Sequence, residues 1–125
     1  MPRTIQTDEA PDAVGAYSQG TATDDLVFTA GQVALTPDGD LLADADVATQ
    51  TEQALANVAA VLEAGGSSLA AALKVTVYLE DIADFEAMNE AYGAAFEADP
   101  PARSAIEAGG LPAGMAVEIE AVGAR

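Results

Sequence analysis

The chain has 125 residues, half of them hydrophobic, which predicts one folded domain spanning residues 1–125. It contains no cysteine and no histidine, which excludes disulfides, thiolate nucleophiles and Cys/His zinc sites. Four Lys and Arg residues stand against 21 Asp and Glu residues, and the net charge of −17 argues against nucleic acid and against anionic membranes, because both need clustered cations.

The first half of the chain predicts a strand, a turn and a helix. Residues 26–30 form a short apolar strand that Gly31 closes, and the turn 36–40 follows. Between residues 47 and 62, apolar side chains recur at three- and four-residue steps, as on one face of a helix. Asp44 or Asp46 can cap its start, and Gly65 with Gly66 ends it.

The second half predicts two strands on either side of a helix. In the strand 73–79, Leu73, Val75, Val77 and Leu79 face one way, and in the strand 116–121 Val117 and Ile119 alternate with glutamates. The helix has a stripe of Ile82, Phe85, Met88 or Asn89, Tyr92 and Phe96. Asp81 or Asp84 caps it, and two prolines at 100 and 101 block its continuation beyond Asp99.

These elements predict an α+β sandwich with both helices on one face of the sheet. The opposite sheet face would carry polar side chains: Lys74, Thr76, Tyr78, Glu118 and Glu120. In so small a domain that face is either in contact with water or covered by another subunit.

The scattered acidic residues are typical of a solvated surface that tolerates high salt. Because lysine is almost absent, we expect a salt-rich cytoplasm, as in an extreme halophile, rather than an ordinary acidic protein. No apolar run approaches the ~20 residues that span a bilayer, and the N-terminal residues lack the apolar stretch of a signal peptide. A cytoplasmic location is therefore expected.

Arg103 is the one internal arginine. It follows the prolines at 100 and 101 and precedes an apolar segment. A fixed guanidinium suits bidentate recognition of a carboxylate. An ion pair with one of the many acidic residues is the alternative.

Glu118 and Glu120 lie two residues apart, so both carboxylates share one face of a strand, about 6–7 Å apart along the chain. Paired carboxylates can divide acid and base roles when their environments differ. Alternating glutamates are also typical of the solvent face of a strand.

The remaining polar candidates are weaker. Tyr17 and Ser18 offer hydroxyls in a glycine-bounded loop, but no His or nearby Lys activates Ser18 as a nucleophile. Asn89 borders the apolar stripe of the second helix, where it can contact a substrate or another subunit or simply mark the helix border.

Several segments together resemble one known family. The run 101–111 (PARSAIEAGGL), followed by 117–121 (VEIEA), is similar to the signature of the RidA (YjgF-like) reactive intermediate/imine deaminases. Segments 15–20 (GAYSQG), 29–32 (TAGQ), 53–58 (QALANV), 75–79 (VTVYL) and 85–89 (FEAMN) agree as well, so the resemblance covers essentially the whole chain.

The resemblance implies a chorismate-mutase-like fold, assembled as a homotrimer with a central barrel and active sites between subunits. It implies that Arg103 grips the substrate carboxylate and that Glu118 positions the attacking water. Tyr17 and Asn89 would line the cleft, with residues 30 and 31 beside the substrate and main-chain groups around Ala105 near its nitrogen.

The implied reaction needs no cofactor and no metal: 2-aminoacrylate or 2-aminocrotonate tautomerises to an imine, which water converts to a 2-oxo acid and ammonia. The sequence departs from the family at Ala30, where many members have Ser, and at Ala105, where many have Cys. Ala30 removes a hydroxyl contact, which leaves open either a shifted substrate preference or a weak activity.

Two other functions remain open. A non-catalytic trimer that binds small molecules or acts as a chaperone could use the same cleft. Ribonuclease activity, also described in the family, fits the charge of −17 worst.

Overall fold

A computed structural model of the protein describes residues 2–125. The elements, in chain order, are β1 (Arg3–Ile5), β2 (Gly20–Ala22), β3 (Leu26–Thr29), α1 (Val47–Ala64), β4 (Ala72–Leu79), α2 (Phe85–Gly93), β5 (Ala102–Glu107) and β6 (Val117–Ala124). The strands form one sheet in the order β1-β2-β3-β6-β4-β5. All neighbouring pairs are antiparallel except β4 and β5, which run parallel.

The predicted α+β sandwich is confirmed. Helix α1 packs against α2, β3 and β6. The core lies between these helices and the sheet, where alternate residues of the central strands are buried: Val75, Val77, Leu79, Val117, Ile119 and Ala121. The other face of the sheet carries the polar set expected from the alternation, including Tyr78, Glu118 and Glu120.

Helix α1 begins and ends where its sequence predicts. The Asp46 carboxylate accepts a hydrogen bond from the Thr49 amide at 2.8 Å, which satisfies one free N–H of the first turn. At the other end Gly66 adopts φ 92°, a left-handed conformation that glycine tolerates, and the Ser67 amide donates to the Leu62 carbonyl at 2.8 Å. The helix therefore stops before β4.

Helix α2 is shorter than the sequence predicts. Ile82–Asp84 form a separate 3-10 turn, which Asp81 caps, and the α-helix ends at Gly93. After Gly93 the chain continues in turns, with the Phe96 amide bonded to the Gly93 carbonyl. Glycine is a poor helix former, which accounts for the early end. Phe96 still stacks on Tyr92, with ring centroids 4.8 Å apart.

The predicted inward orientation of Leu73 is wrong. The pairing of β4 with β6 shifts register between Ala72 and Lys74, so Leu73 sits in a bulge and is 51% exposed. An extra residue in one strand disrupts the alternation locally, and the predicted pattern holds only from Val75 onward.

Three strands were not predicted. β1 and β2 have three residues each, too few for a periodic pattern. β5 contains Arg, Ser and Glu, and its pairing with β4 is distant in sequence. Within residues 2–125, no helix is long and apolar enough to cross a bilayer.

Candidate functional site

The polar face of the sheet holds a carboxylate pair beside a tyrosine. Strand register places Glu118 opposite Tyr78 and Glu120 opposite Thr76, all on the side away from the helices. The Tyr78 hydroxyl donates a short hydrogen bond to Oε1 of Glu120. Glu120 is thereby held in place, and its charge lies next to Glu118.

Glu118 is half-buried against the main chain at Gly31. A Cβ built at Gly31 would lie 2.9 Å from the Glu118 carboxyl carbon, so a larger residue there would displace the carboxylate. Burial raises the pKa of Glu118 above its ordinary value, and the negative charge of Glu120 adds to that rise. Glu118 is therefore a carboxyl group that holds a proton more readily than an exposed glutamate.

Glu118 and Glu120 line a cleft of about 690 Å³ on this face of the sheet. Tyr17, Ala30 and Gly31 line it together with them. Tyr17 is 52% exposed, and its hydroxyl accepts a hydrogen bond from the Val14 amide at 3.3 Å. The structure thus brings four of the predicted site residues together: Tyr17, Ala30, Gly31 and Glu118.

One wall of the cleft is the loop 7–19, which a buried amide side chain holds in place. Gln19 is 1% exposed, and its Nε2 donates to the Thr7, Ala10 and Pro11 carbonyls at 3.0, 3.3 and 2.8 Å. Its Oε1 accepts from the Thr7 amide at 2.7 Å. With both ends of the amide satisfied, the loop has a defined conformation.

The opposite wall, residues 33–41, is fixed in the same way from α1. The Asn57 side chain donates to the carbonyls of Val33 and Leu35 at 3.1 and 2.8 Å and accepts from Gln53 at 2.9 Å. Leu35 pairs with Leu41 across the turn predicted at 36–40. Both walls are therefore held by neutral amides.

Arg103 lies on the opposite side of the sheet, under α2. Its Nη1 donates to Oδ1 of Asn89 at 2.7 Å, and its guanidinium carbon lies 5.4 Å from the Phe85 ring centroid and 4.8 Å from that of Tyr92. These four residues are called the anchor cluster below. Stacking and one hydrogen bond orient the guanidinium, and its other N–H groups have no hydrogen-bond partner among residues 2–125. Every contact recorded for this guanidinium within residues 2–125 is with a neutral group, in contrast to the ion pair considered from sequence.

The structure does not bring Arg103 and Glu118 together within one chain. Arg103 pairs in register with the buried Val75, whereas Glu118 pairs with the outward Tyr78, so the two charged groups face opposite sides of the sheet. Ala105 lies on β5, two residues after Arg103, and is partly buried against the core. The outer edge of β5 has no neighbouring strand among residues 2–125, which leaves its main-chain groups free.

Three contributors to this geometry were missed from the sequence. Gln19, Asn57 and Tyr78 act by fixing backbone or carboxylate positions, and a polar residue that is buried gives no distinct sequence signal. Only Tyr78 had a usable signal, because alternation placed it on the face of Glu118 and Glu120. Within residues 2–125, no group of three or more Asp and Glu side chains converges as a metal site requires.

Comparison with known proteins agrees with the resemblance noted from sequence. The Endoribonuclease L-PSP family matches residues 7–125. A Salmonella typhimurium protein called 2-iminobutanoate/2-iminopropanoate deaminase is 40% identical over 128 residues, covering 100% of this chain and 99% of its own. The human protein of the same name is 40% identical, covering 96% of this chain and 88% of its own.

Solved structures show the same fold. RidA from an Antarctic Psychrobacter superposes with a TM-score of 0.92 at 39% identity, covering 98% of this chain and 99% of that one. E. coli TdcF, solved with bound serine, gives a TM-score of 0.92 at 37% identity and covers 98% of each chain. The match to these structures and the family match over residues 7–125 show that this chain belongs to the RidA family, also described as Endoribonuclease L-PSP.

Proposed function

We propose that this chain hydrolyses 2-imino acids to 2-oxo acids and ammonia, in clefts formed between copies of the chain. The proposal depends on the surroundings of two charged side chains, Glu118 and Arg103. Glu118 is a half-buried carboxyl with a raised pKa in a cleft, and Arg103 is a guanidinium oriented entirely by neutral partners. The relatives named as iminobutanoate deaminases support the same chemistry.

The reaction is R–C(=NH)–COO⁻ + H₂O → R–CO–COO⁻ + NH₃. Arg103 binds the carboxylate with N–H groups that Asn89 does not use. Glu118 accepts a proton from water as the water oxygen bonds to the imine carbon. That proton then passes to the nitrogen, which gives a carbinolamine. The hydroxyl proton moves to the amino nitrogen as the C=O bond forms and the C–N bond breaks, and ammonia leaves.

Assembly is required because one chain holds these groups on opposite faces of its sheet. An interface between different surfaces of two copies can place Arg103 of one copy over the cleft of the next, and such interfaces close into rings. The free edge of β5 and the polar sheet face with Glu118 are the two surfaces that such a contact would join. A homotrimer, as the family resemblance implies, satisfies this geometry.

The test generates 2-aminoacrylate with a serine/threonine dehydratase in high-salt buffer and follows pyruvate. We expect the protein to accelerate pyruvate release. Arg103→Ala should abolish the effect, and Glu118→Gln should remove most of it while keeping the size of the side chain. No acceleration by the unaltered protein would favour a non-catalytic binder.

Mixed assemblies test the shared site directly. Neither Arg103→Ala nor Glu118→Gln should be active alone, but subunits mixed after dissociation should regain about a quarter of full activity, because one site in four combines two intact residues. A site within one chain predicts no recovery.

RNA cleavage is opposed by the net charge of −17.

A further inference from the structure

We propose that Glu107 is a positioning residue for substrate binding, because it ties residues 82–93 to β5 and thereby holds the Arg103 guanidinium in its binding orientation. Oε1 of Glu107 accepts a hydrogen bond from the Ile82 amide at 2.8 Å. Residues 82–93, the 3-10 turn together with α2, are called the helical segment below. The inference rests on the proposed function, since it concerns how Arg103 binds the carboxylate of that substrate.

The orientation of Arg103 depends on a helix from another part of the chain. Arg103 lies on β5, whereas its three partners in the anchor cluster, Phe85, Asn89 and Tyr92, all lie on α2. A shift of α2 relative to β5 would move all three partners together. Hydrogen bonds and cation–π contacts both weaken with such displacements, so the guanidinium would lose its fixed direction.

Two side-chain hydrogen bonds join the helical segment to β5 within residues 2–125, Arg103 to Asn89 at 2.7 Å and Ile82 to Glu107. On β5 the two side chains are four residues apart, so they share one face about 13 Å apart along the strand. Their partners are seven residues apart on the helical segment, about 11 Å along its axis. One bond alone would let α2 pivot about Asn89, whereas two separated bonds fix both its position and its direction.

The main chain at both ends of the Glu107 bond is fixed. Glu107 pairs in register with the buried Leu79, and the next amide, that of Ala108, donates to the Leu79 carbonyl at 2.8 Å. At the other end, the Asp81 carboxylate accepts from the Ala83 amide at 2.9 Å and holds the 3-10 turn. Glu107 thus links two ordered main-chain segments.

A carboxylate suits this role at this distance from Arg103. The Ile82 amide is at the first position of the turn, where no carbonyl within the turn can accept it. An ionised acceptor makes a stronger hydrogen bond there than a neutral one. Because Glu107 lies about 13 Å along the strand from Arg103, it does not compete with a substrate carboxylate for the guanidinium.

The test measures turnover and product binding by Glu107→Ala. Arg103 contacts the carboxylate in the ground state and in the transition state alike, so a displaced Arg103 should raise KM and leave kcat nearly unchanged. We expect KM for the imine formed from 2-aminoacrylate, and Kd for pyruvate by calorimetry, to rise about fivefold. The pH dependence of kcat should not change, since it depends on Glu118. Glu107→Gln keeps an oxygen acceptor and should restore most of the binding.

Ile82→Pro removes the same bond from the donor side, because proline has no N–H. The turn should still form, since Asp81 already has the extended conformation preferred before proline, φ −137° and ψ 123°. Ile82→Pro should raise KM and Kd by the same factor as Glu107→Ala, and the double variant should raise them no further. It also tests the bond if Glu107→Ala does not fold.

Asp81→Ala is the matched control, because Asp81 caps the same turn but has no recorded bond to β5. It should destabilise the turn and leave Kd for pyruvate unchanged. The inference is overturned by an equal rise of Kd in Asp81→Ala, by an unchanged Kd in Glu107→Ala, or by effects that multiply in the double variant.

Pyruvate binding separates this inference from the proposed function, because it needs no catalysis. If no imine is hydrolysed but Glu107→Ala binds pyruvate more weakly, the proposed function fails and the role of Glu107 stands. If imine is hydrolysed and Glu107→Ala keeps the KM of the unaltered protein, only the role of Glu107 fails. Absence of pyruvate binding by the unaltered protein also overturns that role.

Discussion

Glu118 and Glu120 share one strand face, so the charge of Glu120 affects proton binding by Glu118. Burial raises the pKa of Glu118, and the charge of Glu120 raises it further. Tyr78 holds the Glu120 carboxylate by a hydrogen bond, which raises the pKa of Tyr78 as well. The pKa of Glu118 therefore depends on the charge of Glu120.

This coupling predicts the effect of Glu120→Gln on pH dependence. Since the proposed hydrolysis needs ionised Glu118, activity should rise with pH through a carboxyl pKa above the ordinary value. Removing the charge of Glu120 lowers the pKa of Glu118, so the acidic limb of kcat/KM should move to lower pH. Titration of the Glu118 carboxyl carbon by NMR checks the same shift without catalysis.

The control for this shift is Glu63→Gln, which removes one negative charge from an exposed position on α1. Its effect on the Glu118 titration should be much smaller, because solvent and salt screen distant charges. Equal shifts in the two variants would mean that net charge, rather than the neighbouring carboxylate, sets the pKa of Glu118.

At the scale of elements, the C-terminal end of helix α1 is stabilised by the side chain of Arg125. The Arg125 side chain donates from Nε to the Gly65 carbonyl at 2.8 Å and from Nη1 to the Thr23 carbonyl at 3.3 Å. The last turn of α1 has no basic residue of its own. Arg125 thus supplies the positive charge that favours a helix C-terminus.

Arg125→Ala should therefore lower the free energy of unfolding by about 1 kcal/mol. Chemical denaturation in constant salt measures the change. Arg3→Ala is the control, because Arg3 also donates to the Thr23 carbonyl, at 3.2 Å, but has no recorded contact with Gly65. A loss as large in Arg3→Ala would show that the helix end is not the origin of the effect.

The elements predicted from sequence are those whose pattern is local. Strict alternation in β4 and β6 and the three- and four-residue spacing in α1 were enough to predict them. β5 was missed because its alternation is weak and its partner β4 is distant in sequence. Missing β5 also hid the orientation of Arg103, since only strand register shows that Arg103 and Glu118 face opposite sides.

The sequence was enough to predict which residues belong to the candidate site, but not how they are arranged in space. Tyr17, Ala30, Gly31 and Glu118 do line one cleft, and Asn89 does contact Arg103. The supports at Gln19 and Asn57 could not be predicted, because a buried amide acts through carbonyls whose positions depend on the fold.

At the scale of the whole molecule, the charge of −17 must be accommodated in any assembly. Copies of an acidic chain repel one another, and salt screens that repulsion over distances beyond about 10 Å at 0.1 M ionic strength. We expect the proposed oligomer to weaken as salt is removed. Analytical ultracentrifugation across a salt series measures this, and an undiminished oligomer in dilute buffer would contradict it.

The amide supports of the cleft also bear on how this protein can change over generations. Gln19 and Asn57 bond to main-chain carbonyls of the walls, and the side chains of Val14, Leu35 and Leu41, which line the cleft, take no part in those bonds. These three lining positions are thus separate from the two supporting amides. A library randomised at positions 14, 35 and 41 should consequently contain many folded members with altered selectivity, which makes the cleft a suitable starting point for directed evolution.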